Sequence, residues 1–142
     1  MVLKYMNSLR IITTALITFV SISSYAQEYS GWSCTNDVEV MCSNKGCGVG
    51  QGEDFTPVDV TLNNDGRMSV CAYTGCWDGK GSVLNEGSFI IYTGKNFKFS
   101  TASNSENSED IVVVIDKRDN VAVMKNSVFS QPLICIKRID KK

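Results

Sequence analysis

Six cysteines are the residues of this chain with the most definite chemistry, because they allow either disulfide bonds or a metal site. An even number of cysteines in a small exported chain is typical of a disulfide framework. The sequence alone does not select one pairing, but a Cys34–Cys135 bond would tie the two ends of the domain together, and we favour it. The local pairs Cys42–Cys47 and Cys71–Cys76 then account for the other thiols.

A zinc site is the competing interpretation of the same cysteines. The spacings Cys42-x4-Cys47 and Cys71-x4-Cys76 are close to those of sites in which four thiolates hold zinc. Such a site would leave two cysteines unexplained, and an oxidising compartment favours disulfides. There is no C-x-x-C sequence and hence no thioredoxin-like redox motif. We therefore expect three disulfides, no metal and no cofactor.

The chain contains no histidine, and this limits the catalytic chemistry that it could perform. A Ser-His-Asp triad, a Cys-His pair and a zinc site with histidine ligands are all excluded within the chain. Carboxylate pairs occur at Glu53-Asp54 and Glu109-Asp110, but adjacent residues on an extended chain point in opposite directions. We therefore expect that the protein is not an enzyme, with a carboxylate-based hydrolase as the weaker alternative.

The segment 73–81 is the best candidate for a binding surface. It places Tyr73, Trp77, Asp78 and Lys80 in a glycine-rich stretch that Cys76 would hold in place. Tyrosine and tryptophan provide large contact areas at a low cost in side-chain entropy. In the alternative interpretation, Trp77 folds inward and covers one end of the domain.

The elements that must position these residues have a period of two, and no segment shows the pattern of an amphipathic helix. The clearest feature is a hairpin that joins 57–63 to 67–73 through Asn64-Asp65-Gly66, with Leu62 opposite Met68 and Val60 opposite Val70. Further strands are predicted as a hairpin of 89–93 and 96–100 with Gly94-Lys95 as its turn, a hairpin of 111–116 and 121–125, and a last strand over 133–138.

These elements predict an all-β domain, a small antiparallel meander of about eight strands. It is stapled by disulfides and forms either a barrel or a sandwich. One strand, which contains Val112-Val113-Val114, is apolar on both faces. This pattern indicates a strand that is central or covered on both sides.

The N-terminal residues 1–26 have the features of a secretory signal peptide. Lys4 and Arg10 precede and flank a short apolar run, and Ser24-Tyr25-Ala26 provides a cleavage site with small residues at the required positions. The mature domain is then 27–142, exported to the periplasm or the extracellular space, with no membrane segment after cleavage. Its environment would be one that permits disulfides.

The charge of the mature domain excludes some classes of partner. Removal of Lys4 and Arg10 leaves 12 basic and 15 acidic residues, a net charge of −3. A mildly acidic domain lacks the electrostatic attraction for nucleic acid or for an anionic membrane surface. Another exported protein is the more natural partner.

The layout of the chain resembles that of the small bacterial membrane-bound or periplasmic inhibitors of C-type lysozyme. Those proteins are also exported β-barrels with an early and a late cysteine, here in Trp32-Ser33-Cys34 and in the segment 133–137. Their Ser-Gly-x-x-Tyr motif is absent, so the resemblance assigns no inhibitory residue.

We expect an exported, non-catalytic binding module, of which an inhibitor of another exported protein is one kind. The first alternative is a barrel that carries a small ligand in an internal apolar cavity.

Overall fold

The structure, a computed structural model, describes residues 29–101, 107–127 and 129–139; the predicted signal peptide (1–26) lies outside these ranges. A single turn of 3-10 helix covers Gly52–Asp54. The other regular elements of the described residues are antiparallel strands: β1 Tyr29–Thr35, β2 Val38–Ser43, β3 Gly46–Gln51, β4 Asp59–Asn63, β5 Arg67–Ala72, β6 Gly75–Lys80, β7 Ser82–Glu86, β8 Phe89–Thr101, β9 Ser108–Asp116, β10 Val121–Lys125 and β11 Ser130–Ile139.

The strands form a closed, eight-stranded antiparallel barrel. From β4 to β11 the strands follow one another around the ring, and β1 closes it by pairing with both β4 and β11. Strands β6 and β7 count as one, because they pair with successive parts of the long strand β8 and are joined by Gly81 alone. The predicted all-β fold with about eight strands is confirmed, and of the two predicted architectures the barrel is the correct one.

The predicted hairpin of β4 and β5 is confirmed in its register. Leu62 lies opposite Met68 and Val60 lies opposite Val70. Gly66 ends the turn with a φ of 87°, a conformation that glycine adopts at no steric cost. The alternation of apolar residues and the turn chemistry agree here, so the sequence was sufficient to predict the register of this hairpin. The hairpin of β9 and β10 also has the predicted strands, with Asp116 opposite Val121.

The predicted hairpin at Gly94-Lys95 is wrong, since β8 continues through it from Phe89 to Thr101. The register with β9 shifts between Gly94 and Phe97, which marks a bulge. Asn96 takes a φ of 53° there, which asparagine tolerates better than most residues. The ring of Phe97 fills the space above Gly94 and Gly79, where an added Cβ would lie 2.4 Å from ring atoms.

The interior of the barrel is filled by side chains from every strand of the ring. An eight-stranded barrel is just wide enough for this arrangement. Trp32 and Tyr92 are the largest of the fully buried side chains, at 0% and 1% exposure. The buried apolar set comprises Trp32, Cys34, Val58, Val60, Leu62, Met68, Val70, Ile90, Tyr92, Phe97, Ile111, Val113, Ile115, Ala122, Met124, Leu133 and Cys135.

Three disulfides join the six cysteines, and their pairing is the favoured one: Cys34–Cys135, Cys42–Cys47 and Cys71–Cys76. Each bond links two residues that are directly opposite each other on neighbouring antiparallel strands. The first bond lies inside the barrel and fixes the pair β1–β11 that closes the ring. The zinc interpretation is therefore wrong, because every thiol is used in a bond.

The hairpin of β2 and β3 lies outside the ring and packs on one end of it through buried polar residues. Asn36 donates to the carbonyls of Val38 and Thr56 and accepts from the backbone N–H of Val58 at 2.7 Å. Gln131, which is fully buried on β11, accepts from the backbone N–H of Val40. These bonds attach the hairpin to the barrel end. No helix within the described ranges is long and apolar enough to cross a membrane.

Candidate functional site

The four residues predicted to form a binding surface lie on different surfaces of the barrel. Tyr73 is 71% exposed at the tip of the β5–β6 turn, and its hydroxyl donates to the carbonyl of Phe55 at 2.8 Å. Asp78 and Lys80 are exposed on the outer side of β6. Trp77 directly precedes Asp78 in sequence but faces the interior.

The inward orientation of Trp77 follows from its register. It lies opposite Val70 on one side and Phe99 on the other, and directly paired residues share one face of a sheet. Its ring is 4.3 Å from that of Phe99, centroid to centroid, and it packs against the core. Trp77 therefore supports the barrel interior, whereas a binding role for Tyr73, Asp78 and Lys80 stays a prediction.

The carboxylates Glu109 and Asp110 line an open groove of about 640 Å³ beside the β8 bulge. Both carboxylates accept hydrogen bonds from backbone N–H groups, Glu109 from Ser127 at 3.2 Å and Asp110 from Asn96 at 2.9 Å. They therefore hold the bulge and the neighbouring turn in place. In the described part of the chain, no group of three or more His, Cys, Asp or Glu side chains could hold a metal ion.

A continuous row of apolar side chains crosses the outer surface of five neighbouring strands. Leu84 on β7 is paired with Ile91 on β8, which is paired with Val114 on β9. Val114 is paired in turn with Val123 on β10, and Val123 with Pro132 on β11. At a strand spacing of about 4.8 Å, this row is about 19 Å long.

Further apolar residues on the same five strands widen this row into a patch, which we call the apolar wall. Val123, Ile134 and Ile136 are 57%, 60% and 67% exposed, although each belongs to a regular strand. Large contiguous patches of exposed apolar surface are uncommon on monomeric proteins, so this surface is a candidate interaction site. The apolar wall consists of Leu84, Phe89, Ile91, Val112, Val114, Val121, Val123, Pro132, Ile134 and Ile136.

The other half of the barrel has a polar outer surface. Its strands are β1, β4, β5 and β6, and the Cys71–Cys76 disulfide lies among their outward side chains. The apolar wall is thus a property of one side of the molecule. The outward residues of the polar half include Ser33, Thr35, Asp59, Thr61, Asn63, Arg67, Ser69, Asp78 and Lys80.

A charged pair borders the apolar wall at the β9–β10 turn. Arg118 donates from Nε to Oδ1 of Asp116 at 2.9 Å, and its guanidinium lies 5.8 Å from the centre of the Phe89 ring. The side-chain and backbone hydrogen bonds from Arg118 lower the pKa of Asp116 to about 2. The carboxylate therefore stays charged through the physiological range and keeps this border polar.

The apolar wall is not among the sites predicted from the sequence. Its one indication was Val112-Val113-Val114, where a strand apolar on both faces was expected to be central or covered on both sides. Val113 is buried in the interior, but Val112 and Val114 are only half-buried on the outer surface. The outer face of β9 is part of the apolar wall, and no other element within the described residues covers it.

The fold and this surface together define a disulfide-stapled β-barrel with one apolar and one polar side. No family model matches the chain, and no curated protein or solved structure matches it significantly. The three disulfides are typical of proteins in an oxidising, exported environment.

Proposed function

We propose that this protein is an exported, non-catalytic binding module that docks another exported protein through its apolar wall. The observation that carries the proposal is the in-register apolar row from Leu84 to Pro132, set against the polar outer surface of the opposite half. An even distribution of apolar side chains around the barrel would carry no such meaning, because scattered exposed apolar residues are normal.

The rigidity of the apolar wall supports a role in binding. Its residues stand on paired strands of a closed ring, and the Cys34–Cys135 bond fixes the strand pair that closes this ring. A surface that is already ordered loses little conformational entropy when a partner docks. Each Å² of apolar surface that the partner then buries contributes about 25 cal/mol of free energy in favour of association.

The alternative of a small-ligand carrier depends on an internal apolar cavity. The positions at which such a ligand would lie are occupied by large side chains, among them Trp32, Tyr92 and Phe97. This arrangement favours the outer surface over the interior as the place where a partner binds.

The proposal can be tested by capture from the exported proteins of the source organism with three forms of the mature domain. We expect the wild type to enrich one exported protein in a stoichiometric amount. Val123→Lys places a charge at the centre of the apolar contact, so the amount of captured protein should fall at least about tenfold. Ser100→Lys adds the same charge at an exposed outward position on β8, opposite Cys76, and should capture normally.

A further variant addresses the predicted site on β6. Asp78→Ala combined with Lys80→Ala changes exposed residues of the polar half and should leave capture intact. Equal capture by wild type and Val123→Lys would contradict a role for the apolar wall. If only the Asp78/Lys80 variant lost capture, the result would indicate that the binding surface lies on β6.

A further inference from the structure

A free strand edge adjoins one end of the apolar wall. Strand β7 pairs with β8 on one side, and within the described residues no strand pairs with its other side. The neighbouring strand β5 begins at Arg67, opposite Lys80, so it does not extend alongside β7. The last backbone contact on that side is the bond from the N–H of Gly81 to the carbonyl of Gly66 at 2.9 Å.

The direction of this last bond identifies the unpaired groups of the edge. Backbone N–H and C=O groups alternate between the two sides of a strand. Because Gly81 points its N–H toward the β5 side, Val83 and Asn85 point theirs to the same side. These two residues present two donors and two acceptors in the arrangement that another strand would satisfy.

The edge has no proline, lysine, bulge or inward-pointing charge. Natural edges are blocked by proline, by lysine, by a bulge or by a charge that points inward. Strand β7 has the sequence Ser-Val-Leu-Asn-Glu, and its register with β8 is regular from Ser82 to Glu86. The only charge is at Glu86, and Leu84 is 55% exposed at the centre of the edge.

We propose that this edge binds the β7 edge of a second copy of the chain, antiparallel and centred on Leu84. In this register Val83 of one copy pairs with Asn85 of the other, so the unpaired backbone groups satisfy each other. Leu84 meets its own counterpart in a pair without hydrogen bonds, in which side chains approach most closely. Glu86 lies opposite Ser82, and this keeps the two acidic side chains apart.

Other registers of the same two strands are less favourable. A centre at Asn85 would place Leu84 opposite Glu86, and a centre at Val83 would place Leu84 opposite Ser82. A shift by a single residue would put inward and outward side chains on the same face. The register centred on Leu84 is thus the one that pairs the two Leu84 side chains and satisfies the free backbone groups of both Val83 and Asn85.

The paired edges would also join two apolar walls into one surface. The row that ends at Leu84 in one copy would continue from the Leu84 of the other toward its Pro132. The arrangement has twofold symmetry and closes on itself, as the commonest dimers do. This inference concerns self-association and is separate from the docking of a different protein.

The first test measures the mass of the mature, disulfide-bonded protein by analytical ultracentrifugation over a range of concentrations. We expect a monomer–dimer equilibrium for the wild type. Leu84→Lys places like charges opposite each other across the twofold axis and should raise the dimer dissociation constant at least about tenfold. Val123→Lys adds the same charge to the apolar wall away from the edge and should dimerise like the wild type.

The second test fixes the register through an added cysteine under mild oxidation by glutathione disulfide. Leu84→Cys should form a covalent dimer, because the two added thiols meet at the axis. Ser82→Cys lies on the same strand and face, but its counterpart would be about 14 Å away, so this variant should form no covalent dimer. A wild type that is monomeric at every concentration, or equal cross-linking of the two variants, would overturn the proposal.

If Val123→Lys loses partner capture but still dimerises, the docking surface and the dimer edge are distinct, and this inference is separated from the proposed function. The opposite result, a monomeric wild type that still captures a partner, would reject the dimer and leave the docking surface in place.

Discussion

At the scale of single residues, the fate of a side chain in this barrel depends on which face of its strand it occupies. Trp77 and Asp78 are neighbours in sequence, yet one packs against Phe99 in the interior and the other is exposed. Both were predicted to belong to one binding surface because their chemistry is suited to binding. Alternation along a strand separates them, and this could have been applied to residues 73–81 had β6 been predicted as a strand.

Tyr92 provides a prediction at the same scale. Burial inside the barrel, with a smaller effect of the nearby Tyr29, raises the pKa of Tyr92 from 10.0 to about 12. As the pH rises above 10.0, the hydroxyl ionises in the unfolded chain but not in the folded one. The native state should therefore lose up to about 3 kcal/mol of stability between these two pKa values.

Tyr92→Phe removes the ionising group and is the matched control. Its free energy of unfolding, measured by urea titration, should fall less than that of the wild type above pH 10.0. Below that pH the difference between the two proteins should be constant. A parallel decline of both proteins at alkaline pH would show that Tyr92 ionises as readily in the folded state as in the unfolded state.

At the scale of elements, local turn chemistry predicted the structure where the long-range pairing agreed with it. The β4–β5 hairpin combines alternating apolar residues with Gly66 at its turn, and both signals select one register. Gly94-Lys95 has suitable turn chemistry as well, but β8 pairs with β7 and β9 before this point and with β6 and β9 beyond it. These pairings are not visible in the sequence, and a bulge accommodates the extra residues.

The disulfides differ in the length of chain that they close, and this difference gives a prediction for the elements that they join. Cys34–Cys135 spans 101 residues, whereas Cys42–Cys47 and Cys71–Cys76 each span 5. Loop-closure entropy predicts a loss of about 4–5 kcal/mol on removal of the long bond and about 2 kcal/mol for a short one. The cysteine pairs should be replaced by alanine and the variants compared by urea unfolding.

The comparison of Cys34→Ala/Cys135→Ala with Cys42→Ala/Cys47→Ala is informative because the second pair lies on the hairpin outside the ring. The first variant should lose about twice as much free energy of unfolding as the second. Equal losses would indicate that the long bond does not restrict the unfolded chain as its span implies.

At the scale of the whole molecule, closure of the barrel decides which apolar residues become core and which become surface. The sequence predicted an all-β domain with about eight strands, since the period of two and the turn signals are local. It did not predict the apolar wall, because runs such as Val112-Val113-Val114 are equally consistent with a second layer of structure on the outside. That layer is absent from the described residues.

The two faces of β10 test this distinction between interior and exterior with adjacent residues. Val123 is 57% exposed on the apolar wall, and Met124 is fully buried inside the barrel. Val123→Lys should change the free energy of unfolding by no more than about 0.5 kcal/mol, as surface substitutions usually do. Met124→Lys buries an unpaired charge and should cost several kcal/mol or prevent folding. Thermal unfolding followed by far-ultraviolet circular dichroism compares the two variants directly.

Because the substitutions differ by one position and introduce the same group, a similar loss of stability in both variants would mean that the outer surface of β10 is covered in the native protein. Such a result would remove the basis for docking at the apolar wall.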